Sequence, residues 1–284
     1  MSGGAAVLKL LGDKPLGARD ADAVDRVLAA DPVPRCMVAA RVETHGLEPR
    51  LLGGELWTAG EPSTSLCFAG ANLIPLVGTG DDMAYFADRA ASSPRVCSSI
   101  VGDADKVLTM WDRIDSAWGP AREVRPTQPL MALYGPPLVA ADPAVRLVTL
   151  DDLDVYLPAA IDMFIGEVGV DPCAGDGGRS YRRRLASLIG AQRVFARFDD
   201  GAVVFKAEIG SLSRRVGQIQ GVWVAPHMRG RGLGAGGTAA TAAAIAAQGR
   251  IPSLYVNSFN LSARAVYAKI GFTQVGTFAT VLVD

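Results

Sequence analysis

The sequence predicts an α/β (α+β) fold in two tandem parts, each a mixture of strands and flanking helices. Three observations predict it. Short apolar runs of strand length alternate with helical patterns along the 284 residues. The order strand–helix–strand–helix–strand occurs in both halves, which suggests a diverged duplication. Between the halves, Tyr134-Gly135-Pro136-Pro137 and Ala140-Ala141-Asp142-Pro143 interrupt both patterns and divide the chain into residues 1–140 and 141–284.

In the first part, strands are expected near Cys36–Glu43, Glu55–Thr58 and Ser65–Leu76. A helix (Asp81–Ala91), a strand (Arg95–Val101), a helix (Ala104–Ala117) and a strand (Pro129–Tyr134) follow. Trp111 and Trp118 suit that part's core. In the second part, Arg146–Thr149 reads as a strand, and Asp151 or Asp152 can cap a helix running to about Gly166. After the break at Gly175-Asp176-Gly177-Gly178 comes a basic helix near Tyr181–Ile189 that carries Arg182-Arg183-Arg184. Arg193–Phe198 and Ala202–Ile209 alternate as strands around an Asp199-Asp200-Gly201 turn. Gln218–Val224 is a strand stopped by Pro226, which cannot donate to a ladder. Leu233–Ala247 is a helix of small residues that ends at Gly249. A strand (Leu254–Val256), a helix (Ser262–Ile270) and a last strand (Thr277–Val283) complete the chain's pattern.

Hydrophobic residues make up 49% of the chain, enough apolar mass to offset the entropy of ordering it, so a disordered chain is excluded. The 28 basic and 29 acidic side chains leave a net charge of −1, which argues against a surface built throughout for nucleic acid or anionic membrane. The charge is uneven. Residues 1–140 carry a net −4 and residues 141–284 a net +3, and between Glu208 and Asp284 seven basic residues meet no acidic one. A solvated face would mix signs, so this stretch is expected to meet an anion. Met1–Leu11 lacks a basic leader region, and no apolar run is of membrane-spanning length. Cys36, Cys67, Cys97 and Cys173 form no CxxC pair and read as reduced thiols, so a cytoplasmic location is expected. With His45 and His227 the only histidines, no metal site is expected.

The informative run is Val222-Trp223-Val224-Ala225-Pro226-His227-Met228-Arg229-Gly230-Arg231-Gly232-Leu233-Gly234. A strand ends, a basic glycine-rich turn follows, and a helix begins. N–H groups of such a turn can converge on one point, and the helix start adds about half a positive charge, so phosphate is the natural guest. A P-loop would need Gly-Lys-Ser/Thr, which Gly234-Ala235-Gly236 does not supply. Gly232–Gly237 fits the dinucleotide GxGxxG spacing, but the acidic ribose partner expected about 20 residues later is missing.

Arg229-x-x-Gly232-x-Gly234, after a strand ending Val-x-Pro, resembles the acyl-CoA pyrophosphate loop of the GNAT superfamily of N-acetyltransferases. A second hallmark lies downstream, in Asn260-Leu261-Ser262-Ala263-Arg264-Ala265-Val266-Tyr267-Ala268-Lys269-Ile270-Gly271-Phe272. The resemblance covers about Arg146 to Asp284. The first part lacks the loop and looks like the degenerate GNAT-like N-terminal partner found in some actinobacterial proteins.

This resemblance implies an acyl-CoA-dependent N-acyltransferase that uses acetyl-CoA as cosubstrate and acts on a primary amine by direct transfer in a ternary complex. Val222, Trp223 and Val224 would splay from the strand at Leu254–Val256 and bond the pantetheine arm. Amides of Arg229, Gly230, Arg231, Gly232, Leu233 and Gly234 would hold the pyrophosphate, and Asn260 the pantetheine side. Tyr267 would protonate the leaving thiolate, and the Val224 N–H would meet the oxyanion. A lysine-like amine, with a pKa of about 10.4, must lose a proton before attack. Glu208 and Glu167 are the candidate bases, since Gln218 and Gln220 occupy the central strand where the family often draws one. Structural roles stand beside these. Tyr267 shares helical spacing with Ala263, Val266 and Ile270 and suits a core aromatic, Asn260 suits a helix cap, and Glu208 suits a paired strand carboxylate. The first part would cover one side of the acceptor cleft or form an oligomer contact. Two other functions compete: a catalytically silent acetyl-CoA sensor, and nucleic-acid binding through the basic stretch. The few aromatics among its arginines count against the latter.

Overall fold

In the computed structural model, residues 15–283 are described; the Met1–Leu11 stretch and Asp284 read above lie outside them. Two compact units are present, and neither is one continuous stretch of chain. Of the described residues, the first comprises 15–130 together with Tyr255–Phe259 and 274–283; the second comprises Met131–Leu254 and Asn260–Thr273.

The first unit opens with helices α1 (Ala21–Ala30), α2 (Cys36–His45) and the short α3 (Pro49–Leu52). Strands β1 (Gly54–Trp57), β2 (Leu66–Gly70) and β3 (Leu73–Val77) follow, then α4 (Gly80–Ala91), β4 (Ser99–Asp103), α5 (Ala104–Trp118) and β5 (Glu123–Ala132). The sheet runs β1-β2-β3-β4-β11-β5, where β11 (Thr273–Leu282) is the last strand of the chain. β11 runs antiparallel to β4, from Phe278↔Asp103 to Leu282↔Ser99. Thr79 caps α4 in a reciprocal box with Asp82. Met83, Phe86, Met110 and Ile114 on the two helices meet Ile100 and Val281 of the sheet in the unit's core, and Trp111 and Trp118 pack partly buried against it.

Several expectations are corrected in this unit. Cys36–Glu43 is helical: Cys36, Val38, Ala39 and Val42 are buried, a stripe of helical rather than alternate spacing. Ser65–Leu76 is a hairpin, because the chain turns at Ala71-Asn72 between two apolar runs that read as one. The strand expected at Arg95–Val101 begins at Ser99, and that at Pro129–Tyr134 begins at Glu123 and ends at Ala132. The first half of β5 is largely exposed and lacked an apolar signal.

The second unit holds β6 (Arg146–Leu147), α6 (Leu153–Val168), α7 (Arg179–Gly190), β7 (Val194–Asp199), β8 (Ala202–Leu212) and β9 (Val216–Val224). These lead into α8 (Leu233–Ala246), β10 (Ile251–Tyr255) and α9 (Leu261–Ile270). Its strand order is β10-β9-β8-β7-β6, antiparallel throughout except for β9 with β10. Asp200 and Gly201 take positive φ in the expected turn between β7 and β8. The strand expected at Leu254–Val256 starts at Ile251, and that at Thr277–Val283 starts at Thr273. Tyr156, Leu185, Ile189 and Val194 join α6 and α7 to the sheet. The expected repetition of order is present: β3-α4-β4-α5-β5 is matched by β9-α8-β10-α9-β11. Among the described residues no helix is long and apolar enough to cross a membrane.

Candidate active site

The second unit has a fork in its sheet. β10 lies parallel to β9 in register from Ile251↔Val216 to Ser253↔Gln218, and there the paired register ends. β9 continues through Ile219–Val224, so its β10-side edge carries main-chain groups without a ladder partner beyond that point. On its other side β9 stays paired with β8, through Phe205↔Val224 and Lys206↔Trp223. Gly221 takes φ +58 at the fork, and register shifts mark this stretch of the β8 pairing. Only a residue without a Cβ adopts that backbone cheaply, so the kink is written into the sequence.

Past the fork, Pro226–Met228 makes one 3-10 turn, and the exposed Arg229–Gly232 leads into α8. Gly230 and Gly232 take φ +76 and +84, and Gly232 caps the helix. The Ala235 and Gly236 N–H groups both donate to the Gly232 carbonyl at 3.0 Å and the Arg229 N–H donates to the Pro226 carbonyl at 3.4 Å, while the first amides of a helix have no acceptor within the helix itself. Leu233 is buried beneath the loop with Val204 and Ala225, anchoring the helix start against the sheet. Arg229 Nε donates to the Val224 carbonyl at 3.2 Å, while Arg231 is exposed. Strand end, loop and helix start therefore form one donor-rich segment.

Tyr267, on α9, is buried and meets Phe272 edge-on, with ring centroids 6.1 Å apart. Burial, with the Glu167 carboxylate nearby, pushes its hydroxyl well above the usual tyrosine range. Glu167 is exposed near the end of α6, and its field also reaches Lys206. Asn260 caps α9, its side-chain oxygen accepting the Ala263 N–H at 3.1 Å.

Glu208 is 1% exposed and surrounded by donors. Tyr156 Oη donates to Oε1 at 3.0 Å, Lys206 Nζ lies 3.0 Å from the same oxygen, and Arg184 lies 3.7 Å from Oε2. Gln220 Nε2 adds a contact of 3.4 Å. Burial pushes the carboxyl up, but Lys206 and Arg184 outweigh it and hold Glu208 below the ordinary carboxylate range. Lys206 is fully buried; burial lowers its pKa, and Glu208 opposes the shift. Its Nζ also donates to the Gly221 carbonyl at 3.0 Å, tying the ion pair to the kink.

Lys206 did not emerge from the sequence, although a signal was present. Lys206 and Glu208 stand two apart in the otherwise apolar run Val203–Ile209, so both point to one face of a buried strand. Among the described residues no group of three or more His, Cys, Asp or Glu side chains could hold a metal ion.

A family described as FR47-like protein matches residues 205–282, and a domain of unknown function (DUF4081) matches residues 54–156. A protein from Drosophila is similar over 95% of this chain and 98% of its own, at 14% identity and a TM-score of 0.68. A GNAT-family acetyltransferase from Colwellia psychrerythraea is similar over 95% of this chain and 99% of its own, at 11% identity and a TM-score of 0.56. A GCN5-related N-acetyltransferase from Kribbella flavida is similar over 87% and 96%, at 13% identity and a TM-score of 0.51. No curated protein matched the chain.

Proposed function

Starting from a chain of the GNAT acetyltransferase fold with an FR47-like C-terminal region, we propose that it is an acyl-CoA-dependent N-acyltransferase. The donor is acetyl-CoA and the acceptor a primary amine, and transfer is direct within a ternary complex. The functional division falls near residue 140: residues 141–284 carry the chemistry, and residues 1–140 are a GNAT-like partner without the phosphate loop. One observation carries the reading: β9 loses its parallel partner beyond Gln218 and runs on toward a donor-rich loop at a helix start.

The residues divide the work by chemistry. Unladdered groups of Val222 and Val224 bond the pantetheine amides as a third strand would, while the Trp223 main chain stays in the ladder with Lys206. The Arg229–Gly234 amides hold the pyrophosphate, and the acid-free stretch after Glu208 adds a favourable field. Asn260 keeps its side-chain N–H₂ for the pantetheine side while its oxygen caps α9.

Glu167 takes the proton the amine must lose, directly or through a water, as the C–N bond forms. The Val224 N–H meets the oxyanion, the C–S bond breaks, and Tyr267 faces the departing sulfur. With its pKa raised above 10 against about 8.5 for a thiol, full proton transfer from Tyr267 is uphill by at least about 2 kcal/mol. Tyr267 therefore acts first as a hydrogen-bond donor to the thiolate. Glu208, held ionised among four donors, braces Lys206 rather than accepting the amine proton.

Substituting Tyr267→Phe is expected to lower kcat about 100-fold while acetyl-CoA affinity stays within about twofold. Thiol release and calorimetric titration measure the two quantities; unchanged turnover removes Tyr267 from the mechanism. The engagement of Glu208 favours a second reading, a catalytically silent acetyl-CoA sensor. Acetyl-CoA binding without thiol release across a broad panel of amines and peptides would select it.

A further inference from the structure

The first unit contains a cavity of about 530 Å³, within the size range of small-molecule sites. It opens where the end of β1 and the β2–β3 turn face the segment between α4 and β4, and its walls are mostly apolar. Two indole rings line it, Trp57 and Trp118. Trp57 is held in place: its Nε1 donates to Glu55 at 3.0 Å, and Arg89 stacks on its ring at 4.5 Å. Arg89 also lies 3.9 Å from Glu55, so the one carboxylate in the wall is already neutralised.

The remaining charge in the lining is positive. Arg50 and Arg95 both line the cavity and are exposed, and among the described residues neither has a carboxylate within ion-pairing distance. Arg95 rests over Trp118, with its guanidinium carbon 5.8 Å from the ring centroid. Stacking engages the flat face of a guanidinium and leaves its edge N–H groups free for a bidentate acceptor. This happens in the acidic half of the sequence, where the net charge over residues 1–140 is −4. Val96, 76% exposed, adds apolar surface at the same wall.

From these residues we propose that the first unit binds a small organic anion, an aromatic carboxylate, with its ring against Trp118 and Trp57 and its carboxylate on Arg95 and Arg50. Every lining residue belongs to the first unit, and none is among those assigned to acyl-CoA. It gives the first unit a ligand of its own.

Calorimetric titration of the full chain with phenylacetate, phenylacetamide and 2-phenylethylamine tests the proposal. Phenylacetate is expected to bind one to one, the amide about tenfold or more weaker, and the amine not at all. Arg95→Gln and Arg50→Gln should each weaken phenylacetate about tenfold with thermal unfolding unchanged, while Arg113→Gln, on the outer face of α5, leaves it unaltered. Cys97 lines the cavity and Cys173 does not, so phenylacetate should slow alkylation of Cys97 alone. Absence of binding at millimolar phenylacetate, equal affinity for acid and amide, indifference to both arginine variants, or protection of Cys173 instead would each overturn it.

Discussion

Lys206 and Glu208 illustrate how a single pair can be both a liability and a fixture. Each ion alone would be expensive to desolvate, and together with Tyr156, Gln220 and the Gly221 carbonyl they satisfy one another. Lys206→Met strands the carboxylate and Glu208→Gln strands the ammonium, so each should cost about 3–5 kcal/mol in urea unfolding. The double substitution should cost much less than the sum; additive losses would show the pair to be uncoupled. The pH dependence follows from the direction of the Glu208 shift. A carboxyl depressed in the folded state adds stability above its unfolded pKa, about 4.3 for Glu, and that stability is lost as pH falls through the folded value. The melting temperature should therefore drop on acidification below about pH 4, and Glu208→Gln should flatten that limb. At this scale the sequence named Tyr267 and Glu167 separately, since motif and loop position are local properties. The action of the Glu167 charge on Tyr267 is not, because one hundred positions of chain separate the two.

Among the elements, α8 is the most constrained. It is almost all Gly, Ala and Thr, and both its threonines, Thr238 and Thr241, are fully buried. Small residues let its axis approach the sheet: a Cβ at Gly237 would come within 2.5 Å of the Phe205 ring. Gly237→Ala should therefore destabilise by about 1–3 kcal/mol, against the usual gain from replacing a helical glycine. Gly234→Ala, whose added carbon meets only Val224 at 3.6 Å, should shift stability by less than about 1 kcal/mol. Thermal unfolding of the two variants checks the contrast. The helix, its glycine stop and its phosphate-type entrance were legible because each has a local chemical signature. Helix α2 was misread because Cys36-Met37-Val38-Ala39 is apolar and β-branched enough to suit either state, and burial on one helical stripe decided it. The β2–β3 hairpin was missed because Ala71-Asn72 carries no proline or glycine pair to mark the turn.

For the whole molecule, the informative fact is how the two units share the chain. The sheet of the first unit places β11 between β4 and β5, and Phe278, Ala279 and Val281 of that strand are buried. A fragment of residues 1–140 would lack this strand and leave the β4 edge and its apolar neighbours uncovered. It should show no cooperative unfolding transition, and a peptide of residues 271–284 added in trans should restore one; calorimetry of the fragment with and without peptide measures this. The proline-rich segment near residue 140 is irregular chain, as its composition suggests, and it lies inside the second unit rather than at that unit's boundary. The exchange of strands was not legible, since nothing in the apolar pattern of Thr273–Leu282 says which neighbour it will pair with.

The placement of β11 also sets an order of events during biosynthesis. A ribosome adding about 5–20 residues per second needs roughly 7–30 s to travel from residue 140 to the β11 segment. Throughout that interval the nascent first unit holds an unfilled slot beside β4, open to any other extended strand that reaches it. Slow elongation or a crowded polysome would prolong that exposure, so yield in the cell should depend on chaperone supply more steeply than the thermal stability of the finished protein suggests.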